Sequence, residues 1–288
     1  MAKVTEKCYE TTGRACFICD FSPPRSGDRS VLQNTGINAE FISVAYNPGR
    51  AVRVNSAMLA AAIKQQTGND VIFTLATRDM TTLALQSQML GAQLLGLENV
   101  VVVQGDPFSQ RDLAMVTGAG DTHPTQLIAG ISGMNQGLDF RGSQLRSPTD
   151  FCIGATFDLG RGTEPEAKLA VRKAEAGADF FMSQPIFDVA EADRFRQAYQ
   201  RESGSELSLP VFFGLQILEK DGVIFSSVPE GVRGELEQGR SGVDIALELY
   251  QQFQESGIRN IYLMPPIRRG GARNYEAARE VLAAAKSR

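Results

Sequence analysis

Carboxylate and amide side chains follow several short apolar runs of this sequence, where they could perform acid–base chemistry or bind a polar ring. Asp20 lies near the end of CFICDF, Asp106 follows VVVVQG, and Gln184 ends FFMSQ. A carboxyl group can hold or release a proton, and a glutamine amide both donates and accepts hydrogen bonds. Such a set suits a heteroaromatic ring such as a pterin or a flavin, whose own donors and acceptors it can match.

Structural roles compete with chemistry at these positions, because carboxylates at strand ends often cap the next helix. We expect Asp79 to be such a cap, and Asp106, which precedes a proline, could equally form an Asx turn. Position favours a functional role for Asp20 and Gln184. Other polar side chains at run ends are Tyr46, Asn47, Thr77, Gln104, Asp158 and Gln216.

The sequence has few residues that could support chemistry based on histidine or cysteine. His123 is the one histidine of the sequence, which argues against a His-centred triad or a His-rich zinc site. Cys16 and Cys19 are spaced like a metal or redox pair, but they lie within a predicted strand, where side chains three apart point to opposite faces. We therefore predict no metal site.

Eight short apolar runs are the candidate strands. Their nearly continuous apolarity is typical of parallel strands that are buried on both faces. The runs are CFICDF (16–21), FISVAY (41–46), VIFTL (71–75), VVVVQ (100–104), FCIGATF (151–157), FFMSQ (180–184), VFFGL (211–215) and IYLM (261–264).

Stretches with helical texture alternate with these runs, and glycine often separates a helix from the next strand, as expected for a left-handed C-cap. The pattern predicts one α/β domain over residues 1–288, a closed (β/α)8 TIM barrel, with an open doubly wound sheet as the weaker alternative. The catalytic face of such a barrel lies at the C-terminal ends of the strands. Polar segments 105–124 and 137–150 are predicted loops, one at that face and one at the opposite end. The predicted helices are Val54–Thr67, Met80–Leu95, Thr125–Gln136, Glu164–Ala176, Ala190–Glu202, Gly231–Gln238, Gly242–Ser256 and Asn274–Ala285.

Composition and charge exclude several classes of partner. A formal net charge of -4 gives no basic footprint for nucleic acid or for an anionic membrane. The first residues lack the apolar core of a signal peptide, and no apolar run is long enough to span a bilayer. We expect a cytoplasmic protein.

Six segments, in this order and spacing, resemble methylenetetrahydrofolate reductases, especially the reductase module of bifunctional homocysteine methyltransferase fusions. The segments are Cys19–Arg25, Leu85–Gln88 with Leu90–Ala92, Gln104–Pro107, Lys173 with Gly177–Asp179, Gln184–Asp188 and Ile261–Pro266.

The resemblance implies a barrel that holds FAD at its strand ends, where NAD(P)H and folate react in turn. It also implies that a folate-bound methylene group is reduced to methyl after a proton on N10 opens the imidazolidine ring. The family draws that proton from a glutamate at the position of Asp20, so Asp20 is the expected general acid. Aspartate keeps the acid chemistry with one methylene less reach.

Further site residues follow from the same resemblance. Asp106 matches an aspartate that contacts the pterin and tunes the flavin, and is expected to be catalytic as well as cofactor-binding. Gln184, Gln216 and Tyr46 are the expected substrate-binding residues. We also expect a homo-oligomer or a partner subunit. The remaining cofactor-binding residues are Thr74, Gln104, Gly105, Asp158 and Lys173.

Three positions depart from the pattern of many relatives, which have arginine at Gln104, histidine at Thr74 and threonine at Ala45, all of them flavin contacts there. FMN and direct, flavin-free hydride transfer from NAD(P)H therefore stay open beside FAD. A deazaflavin-dependent pterin reductase and a non-catalytic folate-binding subunit are the competing functions.

Overall fold

Eight parallel strands pair in chain order, and β8 closes on β1 to form a barrel. The computed structural model describes residues 1–10, 13–116, 118, 120–224 and 228–287. The predicted barrel is confirmed, and the strand ends differ from the predicted ones by at most two residues. The strands are β1 (Cys16–Phe21), β2 (Phe41–Val44), β3 (Asp70–Ala76), β4 (Asn99–Val103), β5 (Cys152–Phe157), β6 (Phe180–Pro185), β7 (Val211–Gln216) and β8 (Asn260–Met264).

Helices follow the strands and cover the outside of the barrel, as the helical texture predicted. The four glycines that precede strands in the sequence, Gly68, Gly96, Gly177 and Gly257, all have positive φ, the backbone region that glycine enters without a steric penalty. The helices are α1 (Val4–Glu10), α2 (Ser56–Thr67), α3 (Thr82–Leu94), α4 (Gln110–Leu113), α5 (Pro124–Asn135), α6 (Thr163–Glu175), α7 (Ala190–Ser203), α8 (Glu230–Glu237), α9 (Gly242–Glu255) and α10 (Tyr275–Lys286).

Alternate residues of each strand point into the barrel and out toward the helices. In β1, Cys16 and Ile18 belong to the inner cluster of packed side chains, whereas Phe17, Cys19 and Phe21 pack in the outer one. The same alternation directs Asp20 into the barrel, above Ile18. A strand that is buried on both faces therefore places its one carboxylate toward the barrel mouth.

An N-terminal helix that was not predicted from the sequence closes the bottom of the barrel. Val4 of α1 is fully buried in the inner cluster. The Asn99 side chain at the start of β4 accepts a hydrogen bond from Val4 N at 3.0 Å and donates one to Ala2 O at 3.0 Å. The site must therefore open at the opposite end.

The two predicted loops lie at opposite ends of the barrel. Residues 105–124 follow β4 at its C-terminal end and contain the unpredicted helix α4, which begins with a capping box between Ser109 and Asp112. Residues 137–150 connect α5 to β5 at the other end and contain an isolated bridge between Leu138 and Gln144. The position of each loop agrees with the prediction.

Candidate functional site

A cavity of about 1040 Å³ opens at the C-terminal ends of the strands from β2 to β6 and extends to β8. Eight of the predicted site residues line it, whereas Asp20 and Gln216 are absent from its lining and are almost fully buried. The eight are Tyr46, Thr74, Gln104, Gly105, Asp106, Asp158, Lys173 and Gln184.

Asp20 is held by two side chains that were not among the predicted site residues. Tyr262 of β8 donates a hydrogen bond from its hydroxyl to Asp20 Oδ1 at 3.0 Å. Arg273 Nη2 lies 2.8 Å from Asp20 Oδ2 in an ion pair. That contact lacks hydrogen-bond geometry, so Oδ2 accepts no hydrogen bond from the described residues. Asp20 is thus fixed through one oxygen and charge-balanced at the other.

Tyr262 connects this buried carboxyl group to the cavity. Its register partner on β1 is Ile18, and Asp20 is the next residue of β1 that points inward. Tyr262 lines the cavity, unlike Asp20. Burial raises the pKa of the Tyr262 hydroxyl well above its usual range, and the negative charge of Asp20 acts in the same direction. The hydroxyl therefore stays protonated at neutral pH.

A local irregularity in β6 turns Gln184 into the cavity. The β6 and β7 register shifts between Met182 and Pro185, and the Ser183 hydroxyl replaces a ladder partner by accepting from Gly214 N at 2.8 Å and donating to Gln184 O at 2.7 Å. A Cβ at Gly214 would lie 2.7 Å from Gln184 O. Gln184 is exposed to the cavity, and its amide has no hydrogen bond to the described residues, so it can bind a ligand.

The loops after β2, β3 and β4 are tied together at the rim. Asp106 Oδ2 accepts a hydrogen bond from Gly49 N at 3.2 Å, so its carboxylate joins two loops and forms no Asx turn of its own. Arg78 binds Asp79 through Nε and Nη2, at 2.5 and 2.7 Å, and donates to Asp106 O at 2.9 Å. This network fixes Asp106 at the cavity edge.

The helix-cap prediction for Asp79 was wrong. Thr81 caps α3 by accepting from Ala84 N at 3.4 Å, because it directly precedes the first helical residue. Asp79 instead pairs with Arg78 beside Tyr46. Burial, with the neighbouring charge of Asp79, raises the pKa of Tyr46 to about 12.

Cations collect on the β5 side of the cavity. Lys173 of α6 is 5% exposed and donates to Thr156 O at 2.5 Å. Burial lowers the pKa of Lys173 to about 8, although the charge of Glu166 opposes the shift. Arg161 and Arg172 also line the cavity. Three cationic side chains on one wall can bind a phosphate or carboxylate group.

Asp158 lies on the same wall with a partly structural role. Its carboxylate accepts from Gly160 N at 3.1 Å and pairs with Arg161 at 3.3 Å, while its backbone N donates to Glu166 at 2.9 Å. This bonding shapes the Leu159–Arg161 turn. The residue thus fixes the position of a cation as well as lining the cavity.

His123 lines the cavity, although it was not among the site residues predicted from the sequence. It precedes α5, and its backbone N donates to Gln126 Oε1 at 2.9 Å. Both side chains line the cavity. Site residues were predicted from the ends of apolar runs, and this histidine was missed because it follows a polar loop.

The prediction that Cys16 and Cys19 point to opposite faces of a strand is confirmed. Cys16 and Cys19 pack on opposite faces of β1, in the inner and outer clusters. Among the described residues, no group of three or more His, Cys, Asp or Glu side chains could hold a metal ion. In the same part of the chain, no helix has the length and apolarity needed to cross a bilayer.

Structural relatives share the barrel. An uncharacterized protein from Clostridium thermocellum that binds two copies of 5-methyl-5,6,7,8-tetrahydrofolic acid superposes with a TM-score of 0.67, at 13% identity, over 99% of this chain and 98% of that one. A long-chain alkane monooxygenase (LadA) gives a TM-score of 0.56 at 10% identity over 95% and 91%. A 2,3-dimethylmalate lyase gives 0.52 at 13% identity over 100% and 86%. Because the sequence identities are this low, these superpositions are evidence for the fold alone.

The sequence itself carries evidence for a family. Residues 6–220, which run from α1 past β7, match the methylenetetrahydrofolate reductase family. The matched part includes Asp20, Asp106, Lys173 and Gln184, and ends before Tyr262 and Arg273. The chain therefore belongs to the methylenetetrahydrofolate reductase family.

Proposed function

We propose that this protein reduces 5,10-methylenetetrahydrofolate to 5-methyltetrahydrofolate with NAD(P)H as the hydride source. The observation that carries the proposal is one cavity that combines an unpaired amide, Gln184, with a buried carboxyl group, Asp20, reached through Tyr262. The amide can read a pterin ring, and the carboxyl group can provide a proton. Membership in the methylenetetrahydrofolate reductase family supports a folate as the common substrate of these two groups.

The Clostridium protein supports folate as the ligand. It binds a methylated tetrahydrofolate, the product expected of this reaction, and shares nearly the full length of the fold. In this chain, we assign Gln184 and Tyr46 to the folate because both line the cavity. Gln216, which is buried and does not line the cavity, is assigned no direct contact with it. Asp106 lies at the rim and contacts the pterin from the β4 side.

The residues around the cavity fit a flavin in size and charge. Ligand sites of about 300 to 1,000 Å³ are usual, and the cavity reaches about 1040 Å³. Arg161, Arg172 and Lys173 form a wall suited to the phosphate end. A flavin bound there would supply a ring that carries hydride from NAD(P)H to the one-carbon unit. We assign FAD on this basis; Thr74, Gln104, Gly105, Asp106 and Asp158 complete its binding residues.

The part of the cavity that we assign to the flavin ring carries the least charge. Ala45, Thr74 and Gln104 line it, and all three side chains are neutral. FMN or a direct transfer from NAD(P)H would need fewer contacts at these positions. The spectrum of the purified protein distinguishes a bound flavin from direct transfer, and the mass of the released cofactor distinguishes FAD from FMN.

The first test is an absorbance spectrum, followed in the same cuvette by NADH and then by methylenetetrahydrofolate. A flavin band that bleaches with NADH and recovers with the folate is the expected result. A colourless protein that consumes NADH only when folate is present would replace the flavin by direct transfer. A protein that binds 5-methyltetrahydrofolate but never consumes NADH or NADPH would overturn the reductase proposal in favour of a folate-binding subunit.

A further inference from the structure

We infer that Tyr262 is a catalytic residue through which the proton of Asp20 reaches N10 of the folate, and that Arg273 positions Asp20 for this transfer. The inference rests on the proposed function and extends it to two residues beyond residue 220, where the family match ends. Its geometric basis is that Tyr262 contacts both the cavity and Asp20 Oδ1, at 3.0 Å, whereas Asp20 does not line the cavity.

The proton balance of the step is simple. The Tyr262 O–H bond breaks as an N10–H bond forms, and the phenolic oxygen takes the proton of a protonated Asp20. Asp20 ends as a carboxylate opposite Arg273, and the imidazolidine ring opens to the iminium as its N10–carbon bond breaks. No electrons leave the folate in this step; the hydride from NAD(P)H enters afterwards. Ring closure in the reverse direction follows the same path.

Tyr262 cannot perform this step alone. Because burial and the nearby carboxylate hold its pKa high, the phenol is a weak acid whose anion is unfavourable in this place. Reprotonation by Asp20 removes that anion as it forms. The two residues must therefore act as one unit, which makes their effects on rate non-additive.

Arg273 faces the oxygen of Asp20 that has no hydrogen bond. Its ion pair of 2.8 Å stabilises the carboxylate that remains after proton transfer. The other titratable and charged groups near this pair are Tyr262 from β8, Tyr275 from α10, Cys19 from β1 and Arg53 from the segment before α2. Arg273 acts on the folate only through Asp20.

The test for Tyr262 is a double-mutant cycle with Tyr262→Phe, Asp20→Asn and the double variant. We expect each single change to lower folate-dependent NAD(P)H oxidation about 100-fold, and the double change to lower it by the same factor. Affinity for 5-methyltetrahydrofolate should stay within about 2-fold, since the binding amide of Gln184 is untouched. Multiplying effects, about 10,000-fold in the double variant, would mean separate roles and overturn the relay.

Tyr275→Phe is the matched control. Tyr275 stacks on Phe21, and its hydroxyl accepts from Ser22 N at 3.0 Å, so it belongs to the same cluster without lining the cavity. We expect it to keep more than half of the wild-type rate. An active Tyr262→Phe variant in an active wild-type background would overturn this inference alone. A wild-type protein without folate-dependent oxidation would overturn the proposed function as well.

The test for Arg273 is the pH profile of folate reduction in Arg273→Gln and Arg273→Lys. Because a carboxylate without its cation keeps a proton more readily, the pH above which reduction falls should rise by about one unit in the glutamine variant. The lysine variant keeps the charge and should keep the wild-type profile. A glutamine variant with reduced rate and an unchanged profile would make Arg273 merely structural. If the glutamine variant does not fold, a displaced profile in the charge-retaining lysine variant would also contradict the assignment.

Discussion

The two sides of the barrel mouth hold their polar groups in different ways. On the β1 and β8 side, Asp20 is 3% exposed and both of its oxygens face named partners. On the β4 to β6 side, Gln104 and Gln184 are exposed to the cavity. One side is arranged before a ligand arrives, and the other side leaves amides for the ligand to satisfy.

The difference fits a division between proton transfer and recognition. Proton transfer needs donor and acceptor atoms at fixed short distances, which buried and mutually bonded groups provide. Recognition needs side chains whose hydrogen-bonding capacity is still available. Lys173 is the exception on the open side, because it is buried and bonded to Thr156 O at 2.5 Å.

The largest effect should come from breaking the buried side. Asp20→Asn removes the proton source and should lower folate reduction by at least about 100-fold. Oxidation of NAD(P)H by a quinone needs no proton at N10 and should be unchanged. Stopped-flow measurement of the two half-reactions checks this. Asp188→Asn, at an exposed carboxylate that caps Ala190 N, is the control and should leave both rates intact. Equal losses in both half-reactions would refute Asp20 as the proton donor.

The burial of Lys173, the exception on the open side, can be tested through the pH dependence of the free energy of unfolding. Its pKa in the folded protein, about 8, lies below the ordinary value of 10.5. Between these values the unfolded chain binds more protons, so the free energy of unfolding should rise with pH by up to about 3 kcal/mol from this group. Below pH 8 the cost of the buried charge is fully present.

Lys173→Met should remove this rise. Urea unfolding of both proteins from pH 7 to pH 10.5 gives the difference, which cancels the other titrating groups. Lys168→Met, on the exposed face of α6, is the control and should follow the wild-type curve. Parallel curves for wild type and Lys173→Met would show that Lys173 keeps its ordinary pKa.

The buried side also marks the limit of what the sequence could predict. Apolar runs and glycines were enough to place all eight strands, because burial on both faces leaves a continuous apolar pattern. Asp20 and Gln184 were identified by their position at strand ends. Arg273 was missed because it lies beyond β8 in a polar, glycine-rich segment, and its pairing with β1 depends on closure of the barrel.

Other errors have local causes. Helix α1, VTEKCYE, has one buried residue, Val4, and therefore no amphipathic pattern to detect. Asp79 was mistaken for a cap because Thr81, two residues later, offers a competing oxygen. Tyr262 could have been found from the sequence, since it is a hydroxyl group inside an apolar strand next to β1 in a closed barrel.

The smallest expected effect concerns folate binding by Gln184, on the side of the barrel mouth whose amides are free. Gln184→Ala should weaken binding of 5-methyltetrahydrofolate about 10-fold, the equivalent of roughly 1.4 kcal/mol, with a smaller change in kcat, because ring hydrogen bonds are lost and the proton path is kept. Gln126→Ala is the matched control: this glutamine lines the same cavity, but its amide oxygen already accepts from His123 N at 2.9 Å. Titration calorimetry should show less than about a 2-fold change there. Equal effects in the two variants would mean that loss of cavity volume, and not an available amide, governs folate binding.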